Sequence, residues 1–318
     1  MNYKKYVFGI IGLFCLPMFV IWTLAWILPE EYYMDIEYPY WMQQKDHISS
    51  FGDQQEILML GDSKVKTGII VTEMGNNVYN LALGGATSIE MYYTLKTYLK
   101  NHPKPELVII AFSPMHYFEV VGYWKRNLYF RYFDEDTANE VDKIMIDYDD
   151  TPKKSEKYFH RLPNVYMDAI IKHLFNSRTE ENRAEYKKIS DTKGWICLED
   201  KKQGHVFGEP KMDGFKVLPS IDYYMNLMLA LCKKEEIPIY IEQVPMAGIE
   251  YEPLILSGYI DSYRDYIHSL AQKYNIPVEE VVPVFEDVYF YDDVHLNEKG
   301  AQILTKQWKD KYENWFNN

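Results

Sequence analysis

A glycine, an aspartate and a serine follow an apolar run near residue 60 of this 318-residue chain. Residues 57–60 are uncharged and apolar, which predicts a short strand buried on both faces. Gly61-Asp62-Ser63 comes where such a strand must turn, and open parallel sheets bind ligands at the carboxyl ends of their strands. All three residue types are also common in ordinary turns, so Ser63 is a candidate nucleophile that needs a partner elsewhere in the chain.

A candidate base and its orienting carboxylate stand together near the other end of the chain, in Asp292-Asp293-Val294-His295. An aspartate three residues before a histidine in one loop can bond to Nδ1, which leaves Nε2 free to take a proton from a serine. Asp292 has this spacing, and Asp293 is the alternative orienting residue. Ser63, His295 and Asp292 are therefore the candidate catalytic residues for acyl transfer.

With both segments in view, the sequence resembles the SGNH, or GDSL-like, hydrolase family. The first block of that family is Gly-Asp-Ser, and the last is Asp-x-x-His followed by Asn and Gly. The matching residues here are Gly61, Asp62, Ser63, Asp292, His295, Asn297 and Gly300. The resemblance covers about half of the chain, roughly 57–115 and 220–318. It implies a three-layer α/β/α sandwich and ester chemistry at a serine.

The resemblance also implies an oxyanion hole. In the family it is built from the backbone N–H of the serine, a glycine of a second block and an asparagine of a third block. Ser63 supplies the first donor, and Gly85 best matches the glycine, with Gly84 as a near alternative. A glycine there lets the backbone approach a ligand closely. A plain turn is the other interpretation of Gly84-Gly85.

An uncharged segment at 7–28 is long enough, at about 33 Å as a helix, to cross the hydrocarbon core of a bilayer. Lys4 and Lys5 precede it and acidic residues follow it, so the positive-inside rule predicts a cytoplasmic N-terminus and an extracytoplasmic remainder. A cleaved signal peptide is the alternative, but Pro-Glu-Glu at 29–31 lacks the small residues of a cleavage site. We therefore expect a single-pass protein of the cell membrane.

The third block departs from the family pattern, because Met115 stands where the asparagine is expected, with Ser113 and His116 as candidate replacements. Losing one oxyanion donor typically costs about 10² to 10³ in rate. With this departure and the predicted membrane anchor, the chain is similar to proteins that act beside membrane-bound O-acyltransferases. They are the D-alanyl transfer proteins of teichoic acid tailoring and the acetyl transfer proteins of exopolysaccharide modification. The likeness is an analogy, since a shared fold does not determine function.

Composition excludes several classes of function. The chain is 47% apolar and 25% charged, which is typical of a globular protein, and its net charge of −13 argues against binding nucleic acid or an anionic membrane surface. This net charge is more compatible with a neutral or cationic substrate than with an anionic one. Among Cys15, Cys197 and Cys232, only the last two could pair, and no cysteine or histidine spacing predicts a metal site. We expect neither a cofactor nor a metal.

Strands and helices alternate along the rest of the chain, which predicts a parallel, flavodoxin-like sheet with helices on both faces. After 57–60 we expect a short strand that runs into a glycine turn within 77–88, and strands at 107–112, 237–243 and 281–284. Helices are expected at 88–100, 221–234 and 254–274, and a last one through Trp308 with Asn297 as its cap.

The predicted organisation is an N-terminal transmembrane anchor at 1–30, a juxtamembrane connector at 31–55 and an SGNH-like domain at 56–318. Residues 116–219 match no sheet-forming pattern and carry charge runs at 134–136 and 147–150. They are an insertion, either over the catalytic edge or peripheral to it.

Two hypotheses about function remain at this point. The first is a serine esterase or O-acyltransferase that acts outside the membrane on an acylated cell-envelope polysaccharide or teichoic acid through Ser63, His295 and Asp292. The second is a non-catalytic scaffold with the SGNH fold, or a binding partner of a membrane-bound O-acyltransferase system. The missing third-block asparagine favours the scaffold, and the joint presence of Ser63, Asp292 and His295 favours the enzyme.

Overall fold

The computed structural model describes residues 3–118, 120, 122–148, 163–198 and 214–316. Parts of the predicted insertion, at 119, 121, 149–162 and 199–213, lie outside the described residues, and so does the end of the acidic run at 147–150. The strands are β1 (Ile57–Gly61), β2 (Val78–Asn80), β3 (Leu107–Ala111), β4 (Ile239–Ile241), β5 (Met246–Ala247) and β6 (Val284–Phe285).

The described helices run from one end of the chain to the other, and they connect the strands. They are α1 (Tyr3–Ile27), α2 (Tyr38–Ser49), α3 (Ser63–Gly68), α4 (Val71–Met74), α5 (Ser88–Asn101), α6 (Glu135–Asp147), α7 (Met167–His173), α8 (Thr179–Asp191), α9 (Pro219–Lys234), α10 (Gly248–Leu256), α11 (Tyr259–Tyr274), α12 (Glu298–Lys311) and α13 (Glu313–Phe316).

A parallel sheet with the strand order β2-β1-β3-β4 forms the centre of the domain. Ile57 of β1 is in register with Val78 on one side and Leu107 on the other. Every residue of β1 and β3 is buried, as expected for apolar strands that are covered on both faces. The predicted parallel sheet is confirmed, and its order corresponds to the first four strands of the flavodoxin-like arrangement.

Helices cover both faces of the sheet and form two hydrophobic clusters. Alternate residues of a strand point to opposite faces. Leu58 and Leu60 of β1 accordingly belong to one cluster, with residues of α5, α9 and α11, whereas Ile57 and Met59 belong to the other, with residues of α3 and α12. The predicted three-layer α/β/α arrangement is therefore present.

The last predicted strand, at 281–284, does not extend the main sheet. β6 pairs instead with β5 in a separate two-stranded parallel sheet. The place beside β4 is taken by an isolated bridge between Ile241 and Val278. Pro277 and Pro283 flank this stretch, and proline has no N–H to donate to a ladder, so a continuous fifth strand cannot form here.

The predicted helix at 254–274 is two helices, α10 and α11, separated at Gly258. Gly258 has a φ of 73°, a left-handed conformation that interrupts a helix. The predictions for α5 and α9 are confirmed within two residues at each end. The cap of α12 is also confirmed, since Asn297 Oδ1 accepts a 3.0 Å hydrogen bond from Gly300 N.

The segment interpreted as a connector, 31–55, contains α2, and this helix packs into the domain. Trp41 and Gln44 are buried, and Gln44 Nε2 donates to Thr94 Oγ1 of α5 at 3.3 Å. On the other side, Asn182 of α8 donates to the backbone oxygen of Met34 at 3.0 Å. Residues of this segment therefore contribute to the folded core.

The N-terminal helix α1 is long and apolar enough to cross a membrane, by length and composition. Its most apolar stretch is not buried inside the described part of the chain, and large side chains such as Phe8, Leu13 and Phe14 are exposed. The helix is a candidate membrane span or signal sequence.

No disulfide joins any two of the three cysteines. Cys15 is exposed on α1, and Cys232 is buried on α9, where burial raises the pKa of its thiol to about 12. A thiol with such a pKa stays protonated at neutral pH and is unreactive. Cys197 is partly exposed and forms no disulfide with Cys232.

Candidate active site

Ser63 is held at the carboxyl end of β1 by a sharp turn. Gly61 ends the strand, and a side chain at that position would overlap the carbonyl oxygen of Ala111. Asp62 is the N-cap of α3, and its Oδ1 accepts a 2.8 Å hydrogen bond from Lys64 N. Ser63 is the first residue of that helix, at the sheet edge where the sequence predicts it.

Ser63, His295 and Asp292 form a continuous chain of hydrogen bonds. His295 Nε2 lies 2.8 Å from Ser63 Oγ, and His295 Nδ1 lies 2.8 Å from Asp292 Oδ2 and 3.1 Å from Oδ1. The prediction that Ser63 and His295 lie within hydrogen-bonding reach is confirmed. Of the two candidate orienting residues, Asp292 is the carboxylate at hydrogen-bond distance from Nδ1.

Asp292 also organises the loop that carries the histidine. Its Oδ1 accepts hydrogen bonds from Val294 N at 2.9 Å and from His295 N at 2.7 Å. Partial burial opposes ionisation, but the hydrogen bonds and positive charge that His295 offers, with these two backbone donors, outweigh it and hold the pKa of Asp292 below its ordinary value. Asp292 is therefore a carboxylate at neutral pH, and because a carboxylate only accepts hydrogen bonds, it holds a proton of His295 on Nδ1 and leaves Nε2 directed at Ser63 Oγ.

A cavity of about 290 Å³ opens in front of Ser63. The residues that line it are Glu37, Tyr40, Trp41, Ser63, Lys66, Thr67, Gly84, Gly85, Arg126, Ile196, Leu198, Tyr291, Asp292 and His295. Gly85 has a φ of 71°, a conformation that L-residues with side chains rarely adopt, and Gly84 lies beside it. Both candidate glycines of the second block therefore face the same cavity as Ser63, the candidate nucleophile.

The third block does not reach this cavity. Ser113 N donates a 2.6 Å hydrogen bond to Asp62 Oδ2, and His116 Nε2 lies 3.5 Å from the same oxygen. Met115, Ser113 and His116 are all absent from the described residues that line the cavity. The block ties the buried Asp62 to the end of β3, so neither Ser113 nor His116 is placed to replace the asparagine.

An ion pair that the sequence analysis missed borders the cavity on the side of Gly85. Nε and Nη2 of Arg126 both donate to the carboxylate of Glu37, with Nη2 at 3.0 Å from Oε1. The third guanidinium nitrogen, Nη1, lies close to Gly85, about 3.0 Å from where a Cβ on that glycine would stand. Glu37 and Arg126 are 89 residues apart, so no local pattern connects them.

Residues 193–198 of the insertion lie directly on α3, the helix that begins at Ser63. Trp195 Nε1 donates to the backbone oxygen of Thr67 at 2.9 Å, and Ile196 N donates to that of Lys66 at 3.1 Å. Asn80 N, at the end of β2, donates to the backbone oxygen of Lys193 at 3.0 Å. This end of the insertion therefore forms part of the site wall.

We expect Gly194→Ala to loosen that contact. Gly194 has a φ of 95°, and a Cβ there would overlap the carbonyl oxygen of Asn80. The left-handed conformation alone costs about 1–3 kcal/mol for a residue with a side chain. The midpoint temperature of thermal unfolding of the full chain in detergent should fall. The reaction at Ser63 should also become slower.

Gly214→Ala is the matched control for this substitution. Gly214 has a similar φ of 91°, but no atom of the described residues lies within 4 Å of a Cβ built there. If both substitutions change stability and Ser63 reactivity equally, the contact between 193–198 and α3 has no role in the site.

No family model and no curated protein matches the chain. Among solved structures it is similar to a "putative acylhydrolase" from Bacteroides fragilis, with 12% identity and a TM-score of 0.35, over 85% of this chain and 93% of that chain. It is also similar to a GDSL-like lipase from Bacteroides thetaiotaomicron, with 13% identity and a TM-score of 0.38, over 86% and 99% of the two chains. At these values neither similarity carries an argument about activity.

Proposed function

We propose that the protein is a serine-dependent acyl-transfer enzyme of SGNH type, an esterase or an O-acyltransferase. The observation that carries this proposal is the chain of hydrogen bonds from Ser63 Oγ through His295 to Asp292. A scaffold has no need for a serine, a base and an orienting carboxylate in this geometry, beside an open cavity.

The proposed reaction has two halves. Ser63 Oγ attacks the ester carbonyl while its proton moves to His295 Nε2, and the imidazolium that forms is stabilised by Asp292. The oxyanion is bound by the backbone N–H groups of Ser63 and Gly85. Collapse breaks the bond to the leaving alcohol, which takes the proton from His295, and leaves an acyl-Ser63. Water or an acceptor alcohol then reverses these steps, which gives hydrolysis or transfer.

Product analysis tests this proposal and separates hydrolysis from transfer. The full chain in detergent is incubated with p-nitrophenyl acetate, with and without glycerol as a model acceptor. We expect nitrophenol release that depends on Ser63, with acetyl glycerol among the products if the enzyme is a transferase. Absence of both products at every enzyme concentration would contradict the proposal and favour the scaffold.

Arg126 is the proposed replacement for the missing third donor. Glu37 holds two of its nitrogens, so the third is presented toward Gly85, in the cavity that contains Ser63. A guanidinium always carries its charge, and it can stabilise an oxyanion that develops at this position. The fixed direction of the group makes it a better candidate than Ser113 or His116, which contact Asp62.

Arg126→Leu is therefore expected to lower kcat by about 10²-fold, because one oxyanion donor is lost. Steady-state kinetics with a neutral ester measure the effect. The control is the double variant Arg126→Leu/Glu37→Leu, which also removes the carboxylate that the single variant leaves unpaired. If the double variant recovers the original kcat, the loss comes from the unpaired Glu37 and Arg126 is not an oxyanion donor.

The proposed location is the outer side of the cell membrane, with α1 as a single-pass anchor and the N-terminus in the cytoplasm. Lys4 and Lys5 in the first turn of α1 and the acidic residues after the helix support this orientation. An active site tethered there would meet acylated carbohydrate, teichoic acid and lipid-linked intermediates. A membrane-bound O-acyltransferase is the proposed donor or partner.

Protease accessibility tests this orientation. Protease added to intact spheroplasts should digest the domain that follows α1, because the domain is predicted to lie outside. A cytoplasmic protein should survive in the same sample as a control for intact membranes. Full protection of the domain would contradict both the orientation and the proposed class of substrate.

A further inference from the structure

Lys66 is a buried amine in the candidate active site that the proposed acyl chemistry does not use. It lies three residues after Ser63 on α3, and Ser63, Lys66 and Thr67 line the cavity together. Only 2% of its surface is exposed, and its Nζ has no hydrogen-bond partner in the part of the chain that the structure describes. Burying an amine without a partner is costly, and a bound group that accepts its hydrogen bonds would offset this cost.

The other charged groups of the cavity are already paired. Arg126 is bound by Glu37, and Asp292 is bound by His295. The titratable groups that share the cavity with Lys66 are Glu37, Tyr40, Arg126, Tyr291, Asp292 and His295. Burial alone lowers the pKa of Lys66 to about 7, with no contribution from either carboxylate.

Lys66 is not the base for Ser63. His295 Nε2 already lies 2.8 Å from Ser63 Oγ, whereas Lys66 makes no hydrogen bond to the serine. Lys66 is a residue of the cavity wall, and its buried amine does not touch the nucleophile, so we assign the amine to another part of the substrate. A lysine supplies up to three N–H donors and no acceptor, so the group it binds must carry oxygen acceptors.

We propose that Lys66 binds an anionic oxygen group, a carboxylate or a phosphate, of the molecule that enters the cavity. This extends the proposed function, since it assigns an anionic substituent to the ester substrate or to the acceptor alcohol. The net charge of the whole chain, −13, favours a neutral or cationic substrate. Inside the cavity, however, the carboxylates of Glu37 and Asp292 are paired, whereas the amine of Lys66 is not. The cavity itself therefore favours an anionic group.

The test is protection of Ser63 from a neutral fluorophosphonate by small anions, with the full chain in detergent. Labelling rates are measured with acetate, with inorganic phosphate, and with chloride at matched ionic strength. Protection is expressed relative to the labelling rate of the same variant at the same pH, which removes the effect of pH on the labelling reaction itself from the comparison. Protection by acetate alone indicates a carboxylate, and protection by phosphate alone indicates a phosphate ester.

We expect protection at pH 6, where Lys66 is an ammonium, and at least tenfold weaker protection by acetate at pH 9, where the amine is neutral. Lys66→Met should remove protection at both pH values. Lys66→Arg should keep it at pH 9, because a guanidinium remains charged. Lys64→Met is the matched control, since Lys64 is a buried lysine of the same helix that does not line the cavity, and protection should persist.

Three results would overturn the proposal: no protection by either anion, equal protection in Lys66→Met, or protection by acetate that does not weaken from pH 6 to pH 9. Failure of the acyl chemistry is a separate result, namely no labelling of Ser63 at all. In that case calorimetric titration of acetate and phosphate into the same variants decides whether Lys66 binds anions.

Discussion

Ser63→Ala should abolish acyl transfer and ester hydrolysis, and adding His295→Ala to this variant should cost little more. Residues that act as one unit are strongly non-additive, because removing either one stops the same step. The 2.8 Å contact between His295 Nε2 and Ser63 Oγ is the physical basis for this expectation. The measurements are initial rates for the two single variants and the double variant, together with acyl content of the envelope polymer in a deletion strain.

Matched controls for these substitutions are available on α11. Ser269→Ala and His268→Ala remove exposed side chains of the same two types, which do not line the cavity, so both should keep the original rates. Equal activity of Ser63→Ala and the unsubstituted protein would make the nucleophile assignment wrong. Losses that simply add in the double variant would mean that the two residues act in separate steps.

Asp292→Asn should lower kcat by up to about 10⁴-fold, the size of the effect in enzymes with a serine, histidine and aspartate triad. The amide has nearly the shape of the carboxylate, so the loop can keep its fold. The amide lacks the negative charge that stabilises the imidazolium, and it no longer selects the tautomer with a proton on Nδ1. Asp293→Asn is the control, and it should have a much smaller effect because Asp292 is the residue bonded to Nδ1.

The same substitution should change how stability depends on pH. The pKa of Asp292 is lower in the folded protein than its ordinary value. Its interactions therefore stabilise the fold above the pKa of an unfolded aspartate, and this stabilisation is lost as pH falls through the lower, folded value. The midpoint temperature of thermal unfolding should accordingly fall less steeply with decreasing pH in Asp292→Asn than in the original protein. An unchanged acid profile would mean that Asp292 is not the ionised partner of His295.

The residues that could be predicted from sequence are those whose local pattern determines their position. The apolar run before Ser63 specifies a buried parallel strand, and the serine then has to lie at its carboxyl end. The three-residue spacing from Asp292 to His295 was likewise sufficient, because one carboxylate accepts the backbone N–H and the ring N–H of the same histidine. Both positions are determined by residues that lie close together in the sequence.

The rest of the site depends on contacts between distant segments. Glu37 and Arg126 meet only because α2 packs into the domain, although its sequence looked like a connector. The position of residues 193–198 follows from hydrogen bonds to α3 that no periodicity encodes. Lys66 could have been noticed, since it follows Ser63 by one helical turn, but its burial and lack of a partner are properties of the packed structure.

The most direct test of the central claim is intact-mass analysis of the full chain after exposure to a fluorophosphonate. The proposed mechanism predicts a single covalent adduct, mapped by peptide analysis to Ser63, formed by the original protein and absent from Ser63→Ala. His295→Ala should label far more slowly. An original protein that stays unlabelled while a known serine hydrolase in the same tube is fully labelled, or an adduct that persists in Ser63→Ala, would contradict it.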